Sequence, residues 1–435
     1  MCRVEPIEED VMGTPAQRVL EQVDALTDTM VNELHTLITI PSVSGTDAEN
    51  DAQHHMARLL TDGGLDVDHW ALDLPELCGR PDFPGMEVER SEGWGVVGRL
   101  PGTGDGASLM LNGHIDVVPI GDPDAWNDHP FGGEIRDGRV FGRGACDMKA
   151  GLIAAHWAVQ AIRSANVRLR GDLIVASVLG EEDGGLGTFA TLARGWRADA
   201  CVIPEPTDLD VIPANSGALT FRLRIHGRAT HAARRTDGVS AIEKFWPVFR
   251  ALQDLERRRH AVVDPLAARW AFAHPISIGT VRSGDWASSV PDLLVAEGRM
   301  GVAIGEPVEQ ARAEFEQAIA EANAGDPWLG SNPCLVEWWG GQFASGRIQA
   351  DSDLVERVRS AHASISAGKP PDVYGAPYGS DLRLLTGIGK IPTLQYGPGD
   401  AMLAHGPAES VPLDEVITTA RALAVLALDI CGVAG

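Results

Sequence analysis

Short runs of apolar residues, each followed by polar residues able to do chemistry, constrain the fold of this chain most. Three such runs lie at 108–111, 173–179 and 201–203, and helical patterns at 150–162 and 188–193 separate the later ones. Strands that are apolar on both faces and alternate with helices are typical of a largely parallel sheet covered on both sides. Ligands bind beyond the carboxyl ends of the strands in such sheets. The sequence therefore predicts an α/β fold with a site at that edge.

The pattern changes between residues 215 and 340, where half-exposed strands and amphipathic helices follow one another as βαββαβ. This order is the split arrangement of a small ferredoxin-like domain. The first pattern resumes afterwards, with a helix at 352–365, a strand at 393–396 and a closing helix at 413–431. We therefore predict an inserted domain at 215–340 between two parts of a larger domain, at 14–214 and 341–435.

The N-terminal residues follow a different composition from the rest of the chain. Residues 1–13 are acidic where a signal peptide would be basic and then apolar, so we expect a disordered tail. Apolar residues then recur every three or four positions from 14 to 39, which predicts one long amphipathic helix that Pro41 ends. A second helix is predicted at 48–62.

The net charge indicates which kinds of partner the protein binds, and the cysteine content indicates the compartment expected for it. The 36 Lys and Arg against 61 Asp and Glu leave a formal net charge of −25. Nucleic acids and anionic membranes require a basic face, so we expect small molecules or metal cations as partners instead. The six cysteines are scattered without a CxxC pair, which favours a reducing, cytoplasmic location.

Polar residues able to bind metal follow the predicted strands. His114 and Asp116 come just after the first run, where an imidazole can bind a metal while a carboxylate orients its other ring nitrogen. Taken alone, such a pair is more often a polar turn with satisfied hydrogen bonds. Asp147 opens a predicted helix, so a helix cap is the simpler interpretation of that residue alone.

Two neighbouring carboxylates, Glu181 and Glu182, follow the most apolar run of the chain. Carboxylates that lose hydration together repel each other, so a cation must compensate them or one must be protonated. Glu205 closes the next run in the same way, and His405 follows the last predicted strand.

These strand ends converge on one edge of the predicted sheet, which makes a shared metal site a better explanation than separate caps and turns. The oxygen and nitrogen donors of this set suit zinc. The five candidate ligands are His114, Asp147, Glu182, Glu205 and His405. Five side chains are too many for one tetrahedral catalytic zinc, but they suffice for two ions if one carboxylate bridges.

The order and spacing of these motifs resemble the co-catalytic zinc amidohydrolase and peptidase family. That family contains acetylornithine deacetylase, succinyl-diaminopimelate desuccinylase, aminoacylase and glutamate carboxypeptidase. The resemblance runs from about residue 36 to the C-terminus. It implies a mixed, largely parallel sheet covered by helices, as in zinc peptidases. It also implies that the ferredoxin-like insertion serves as a lid and dimerisation domain.

The resemblance also implies a role for each candidate residue, with two Zn²⁺ per subunit for which Co²⁺ or Mn²⁺ could substitute. The roles are first-zinc ligands for His114 and Glu205, second-zinc ligands for Glu182 and His405, a bridging carboxylate for Asp147, an orienting aspartate for Asp116, and the general base for Glu181. Each of these residues matches a family motif in order along the chain.

Two further residues belong to the inserted domain. By resemblance, His231 stabilises the oxyanion and enters the active site of the partner in a homodimer formed through the lid. Arg299 matches an arginine associated with substrate carboxylates, although Ser288 stands where many members have asparagine. The helix predicted at 239–257 carries an aromatic stripe, which is either domain core or part of the dimer interface.

The activity implied is hydrolysis of the amide bond of a small N-acyl amino acid or N-acylated amine. A dipeptidase or carboxypeptidase would use the same chemistry with a different pocket. A non-catalytic, metal-dependent binding protein is a more distant alternative, and it would be expected to lack the base that Glu181 supplies.

Overall fold

The computed structural model describes residues 13–435, so the tail predicted at 1–13 lies, apart from Gly13, outside the described residues. The helices among them are α1 (Pro15–Ala25), α2 (Thr27–Thr39), α3 (Asp47–Asp62), α4 (Leu74–Cys78), α5 (Ala150–Ser164), α6 (Leu186–Ala193), α7 (Ala241–Arg259), α8 (Val308–Ala324), α9 (Asp353–Ile365), α10 (Leu382–Gly387) and α11 (Leu413–Cys431).

The strands of the same residues follow in chain order. They are β1 (Asp66–Ala71), β2 (Trp94–Leu100), β3 (Leu109–His114), β4 (Glu134–Arg136), β5 (Arg139–Phe141), β6 (Leu173–Val178), β7 (Ala200–Ile203), β8 (Val211–Asn215), β9 (Gly217–His226), β10 (Thr230–His231), β11 (Ile276–Ser283), β12 (Ser289–Val290), β13 (Leu293–Val302), β14 (Leu335–Phe343), β15 (Gly346–Arg347), β16 (Val373–Ala376), β17 (Thr393–Gln395) and β18 (Ser410–Pro412).

The largest sheet has the order β1-β2-β6-β3-β7-β17-β8-β15, with β16 paired to β8. Its four central strands β6, β3, β7 and β17 run parallel, whereas β1 and β2 on one side and β8 and β15 on the other pair antiparallel. Every residue of β3, β6 and β7 is buried, as continuous apolar runs require. The mixed, largely parallel sheet predicted from the sequence is confirmed.

Helix α5 is packed closely against the carboxyl end of β7. Gly151, in its first turn, lies so near the Pro204 carbonyl that a Cβ at this position would be 1.8 Å from that oxygen. Only glycine permits this approach. The contact brings the helix start, which follows Asp147, close to the segment that carries Glu205.

The single helix predicted at 14–39 is wrong, because the chain breaks at Leu26 into α1 and α2. Thr14 and Gln17 form a capping box at the start of α1. Leu26 is the C-cap residue of the same helix, with φ −95° and ψ 0°. Both halves bury residues at helical spacing, so periodicity alone does not show the break. The helix predicted at 48–62 is confirmed as α3.

The second sheet is antiparallel throughout, with the order β11-β13-β9-β14, and α7 and α8 pack together beside it. Its buried residues form a core cluster of their own. This is the predicted βαββαβ arrangement. Phe245 of the aromatic stripe lies in that core, whereas the neighbouring Trp246 is 54% exposed. The boundaries of the three segments, 14–214, 215–340 and 341–435, stay predictions.

A small sheet of β4, β5 and β18 was not predicted from the sequence. Ser410 of β18 pairs with Phe141 of β5, which brings the residues before β18 next to those after β5. Within the described part of the chain, no helix has the length and apolarity needed to cross a membrane. The five described cysteines are free.

Candidate dinuclear metal site

The first group of metal-binding side chains lies at the carboxyl ends of β3 and β7. His114 is the last residue of β3, and its Nε2 lies 3.0 Å from Asp147 Oδ1 and 3.9 Å from Glu205 Oε2. The three donor atoms lie within 4.8 Å of one another, which is close enough to hold one ion. His114 and Glu205 are buried.

The second group shares Asp147 with the first. His405 Nε2 lies 3.1 Å from Glu182 Oε2 and 3.5 Å from Asp147 Oδ2. Asp147 thus directs one carboxylate oxygen toward His114 and the other toward His405. A carboxylate placed between two such groups can bridge two cations, and the donor set of carboxylates and imidazoles fits divalent ions such as zinc.

The electrostatics of the site favour cations. Burial raises the pKa of both Glu181 and Glu205 well above the ordinary value, and the charge of Asp381 adds to the rise for Glu181. The charge of Glu182 and a hydrogen bond with Asp147 raise the pKa of His405 to about 11. Burial alone would raise the pKa of Asp147, yet its hydrogen bonds with both imidazoles hold it below the ordinary value. The site thus gathers buried carboxyl groups whose ionised forms are unfavourable unless a cation compensates them.

Asp116 does not orient His114 in the way expected from the sequence. The His114 Nδ1–H donates a 2.9 Å hydrogen bond to the main-chain carbonyl of Asp116, and the nearest carboxylate oxygen lies 3.7 Å away. That carboxylate instead accepts the backbone N–H groups of Glu181 at 3.1 Å and Glu182 at 3.3 Å. One residue therefore fixes both the imidazole and the turn that carries the two glutamates.

The two glutamates occupy different positions. Glu182 belongs to the second ligand group, whereas Glu181 belongs to neither group and lines the adjoining pocket. The assignment of Glu182 as ligand and Glu181 as base stays a prediction.

Sequence reasoning missed how Glu409 holds the Asp147 segment. Glu409 Oε1 accepts the backbone N–H groups of Cys146 at 3.1 Å and Asp147 at 3.2 Å, and its carboxylate pairs with Arg143. The side chains of Arg143 and Glu409 are 2% and 0% exposed. The contact joins residues far apart in the chain, so no local motif reveals it.

A second buried network supports the turn of the glutamate pair. Arg90 pairs with Glu49 at 2.9 Å and with Asp183 at 2.8 Å, and Glu49 also accepts the backbone N–H of Gly180 at 3.0 Å. A buried arginine is stable only with such complete pairing.

The pocket beside the two ligand groups has a volume of about 320 Å³. Its walls combine Glu181 and four of the five ligand residues with Arg299, Phe343 and Tyr378. The pocket lies between the large sheet and the sheet of the predicted lid. Arg299 lines this pocket and its guanidinium is paired with Glu87 at 3.1 Å, while its role in substrate binding stays a prediction.

Among the predicted site residues of the described chain, His231 alone neither contacts a ligand group nor lines this pocket. It is exposed at the end of β10, and its Nδ1 accepts the backbone N–H of Ala233 at 3.1 Å. Its role stays a prediction.

Residues 110–429 match the family described as peptidase family M20/M25/M40. The chain belongs to this family. Its members are hydrolases of amides and peptides, which confirms the resemblance and the enzyme class inferred from the motifs.

Individual relatives agree with the family match. The chain is 28% identical over 389 residues to the N-formyl-4-amino-5-aminomethyl-2-methylpyrimidine deformylase of Bacillus subtilis, covering 84% of this chain and 85% of the relative. It is 29% identical over 340 residues to the acetylornithine deacetylase of Myxococcus xanthus, covering 76% and 82%. The fold is similar to that of the dipeptidase Dug1p of Saccharomyces cerevisiae, with a TM-score of 0.77, 17% identity and 96% and 98% coverage.

Proposed function

We propose that this protein is a di-zinc hydrolase that cleaves the amide bond of a small N-acyl amino acid or N-acylated amine. The observation that carries the proposal is the position of Asp147, whose two carboxylate oxygens face two separate ligand groups. Zinc is supported by the mixture of imidazole and carboxylate donors, for which Co²⁺ or Mn²⁺ could substitute.

The residues around the pocket account for the chemistry. Bound there, two divalent cations would acidify a water molecule and polarise the acyl carbonyl. Glu181 takes a proton from the attacking water and delivers it to the nitrogen of the leaving amine. The backbone hydrogen bond from Glu181 to Asp116 keeps this carboxylate beside the ligands without making it one.

Several finer assignments belong to the same proposal. His114 and Glu205 would hold one ion, Glu182 and His405 would hold the other, and Asp147 would supply a carboxylate to both. His231 acts across a homodimer formed through the domain at 215–340, where the exposed Trp246 and the free edge of β11 are available for contact. The free cysteines support a cytoplasmic location.

A small acylated amine suits the pocket better than a longer peptide. A volume of about 320 Å³ lies at the lower end of the range for ligand pockets. Relatives that cover most of this chain are named for removal of formyl and acetyl groups. The fold shared with a dipeptidase keeps peptide hydrolysis as the second candidate.

The test compares N-formyl, N-acetyl and N-succinyl amines and amino acids with dipeptides, using protein loaded with zinc. We expect hydrolysis of N-acyl amides, and its loss in Glu181→Gln with both metals retained. Faster hydrolysis of dipeptides would favour the peptidase, and metal binding without hydrolysis of any substrate would refute the enzyme.

A further inference from the structure

Glu87 reaches from the loop between α4 and β2 to the sheet of the predicted lid. Its Oε1 accepts a 2.7 Å hydrogen bond from Thr220 Oγ1 and a 3.1 Å hydrogen bond from Arg299 Nη2. Thr220 of β9 and Arg299 of β13 are directly opposite cross-strand partners. A carboxylate from the large domain thus contacts Arg299, which lines the pocket, and its cross-strand partner Thr220.

The position of Glu87 is held from the other side as well. Its backbone N–H donates to the carbonyl and to the carboxylate of Asp183, both at 3.2 Å, and Asp183 is itself paired with the buried Arg90. Gly340, at φ +63°, leaves the necessary space, because a Cβ there would lie 2.4 Å from Glu87 Cγ. With 24% of its side chain exposed, Glu87 is held in place behind Arg299 by contacts on both sides.

The contact between Glu87 and Arg299 matters for ligand binding because of the charges that line the pocket. Among the described residues that line the pocket, Arg299 is the one arginine or lysine. A ligand carboxylate would therefore depend on Arg299, whose charge is already opposed by Glu87. The neighbouring wall is formed by uncharged residues, including Phe343, Pro377 and Tyr378.

We propose that Glu87 offsets the charge of Arg299, so that the pocket selects acylated amines without a carboxylate over N-acyl amino acids. This inference rests on the proposed amide hydrolysis and names the substrate class for the same site. Glu87 touches neither the reacting atoms nor the metal ligands, so it acts as a specificity residue through Arg299.

The contact between Glu87 and Arg299 could instead strengthen the binding of a ligand carboxylate, and this alternative is testable. Glu87 contacts only Nη2, and Nη1 and Nε of Arg299 make no hydrogen bond among the described residues. A carboxylate could thus aim the arginine at a ligand instead of neutralising it. Removal of the Glu87 charge separates the two effects, because they change the affinity for a ligand carboxylate in opposite directions.

The experiment uses N-formyl-2-phenylethylamine and N-formylphenylalanine, which differ only by the carboxylate. Dissociation constants are measured calorimetrically with Glu181→Gln protein, and kcat/KM is measured with protein that retains Glu181. Glu87→Gln keeps the acceptor for Thr220 and removes the charge. Glu337→Gln is the matched control, because Glu337 pairs with Arg222 on the same sheet without lining the pocket.

Glu87→Gln should strengthen binding of the carboxylate ligand about fivefold and change the neutral ligand by less than about twofold, as expected for one partly exposed charge pair. The gain should vanish in Glu87→Gln with Arg299→Gln, and Glu337→Gln should change neither ligand. Weaker binding of the carboxylate ligand in Glu87→Gln would overturn the proposal, as would equal changes for both ligands.

Measuring both dissociation constants and kcat/KM separates the test of Glu87 from the test of amide hydrolysis. If neither compound nor any other N-acyl amide is hydrolysed, the proposed function fails, while the dissociation constants still decide the role of Glu87. If Glu87→Gln does not fold, Glu87→Asp withdraws the carboxylate from Arg299 and gives the same comparison.

Discussion

Replacement of Gly151 by alanine should damage both the fold and the metal site, although alanine normally stabilises helices. In an open helical position, glycine to alanine gains up to about 1 kcal/mol. At Gly151 the new Cβ would lie 1.8 Å from the Pro204 carbonyl oxygen, whereas real Cβ contacts essentially never fall below 3.0 Å. The helix or the strand end must therefore move by more than about 1 Å, at a cost of about 1 to 3 kcal/mol.

The same movement should reach the metal ligands. Asp147 precedes α5, and Glu205 follows Pro204, so the displaced parts carry two of the three donors of the first group. Metal coordination tolerates deviations of about 0.2 Å, much less than the required shift. We therefore expect Gly151→Ala to weaken zinc binding at least tenfold, as judged by competition with a chelator.

Gly387→Ala provides the matched control, because Gly387 ends α10 and a Cβ there would meet nothing within 4 Å. Urea unfolding followed by circular dichroism should show lower stability for Gly151→Ala and unchanged or higher stability for Gly387→Ala. If Gly151→Ala raised stability as an open helical site would, or left zinc affinity unchanged, the close approach of α5 to the strand end would be wrong.

Three further outcomes follow from individual side chains. Glu181→Gln should lower kcat by about 100-fold or more while both metals remain, and loss of metal would instead exchange the roles of Glu181 and Glu182. His231→Ala should bind metal but lose activity. Mixing it with Glu181→Gln subunits should restore some activity, because one site of the mixed dimer would keep both residues. If mixtures with verified subunit exchange recover no activity, His231 does not act across a dimer. His156 has a pKa that burial and Arg163 lower to about 3. The unfolded chain therefore takes up this proton first, and stability should fall as pH decreases from about 6.5 to 3, by up to about 1.4 kcal/mol per unit. His156→Leu should flatten that slope in urea titrations, and an unchanged slope would show that His156 is not its source.

The clustering of the candidate ligands could be predicted from the sequence because their positions follow from strand polarity. His114 and Glu205 end or follow neighbouring parallel strands, and such strands deliver their carboxyl ends to one edge. Hydrophobic runs mark these strands in the sequence, so the residues that follow each run can be assigned to that edge from the sequence alone.

Contacts between distant side chains could not be predicted in this way. Arg143 and Glu409 are separated by 266 positions, and Glu87 and Arg299 by 212, so neither contact leaves a local pattern in the sequence. The atom of Asp116 that contacts His114 could not be predicted for a related reason. The sequence does not show whether the main-chain carbonyl or the side-chain carboxylate of Asp116 bonds to His114. The outcome depends on the conformation of the turn that follows.

The candidate metal site therefore draws on three separately held parts of the chain. His114 ends a strand of the large sheet and Glu205 follows its neighbour, Asp147 is held by Glu409, and His405 lies in the loop before β18. Ions that bind all of these parts would stabilise the folded state, because a ligand that binds only the folded state shifts the unfolding equilibrium toward it. Zinc affinity and resistance to unfolding should consequently change together in variants of Glu409. Variants of Glu87 should alter the choice of substrate without altering zinc affinity, because Glu87 lies outside both ligand groups.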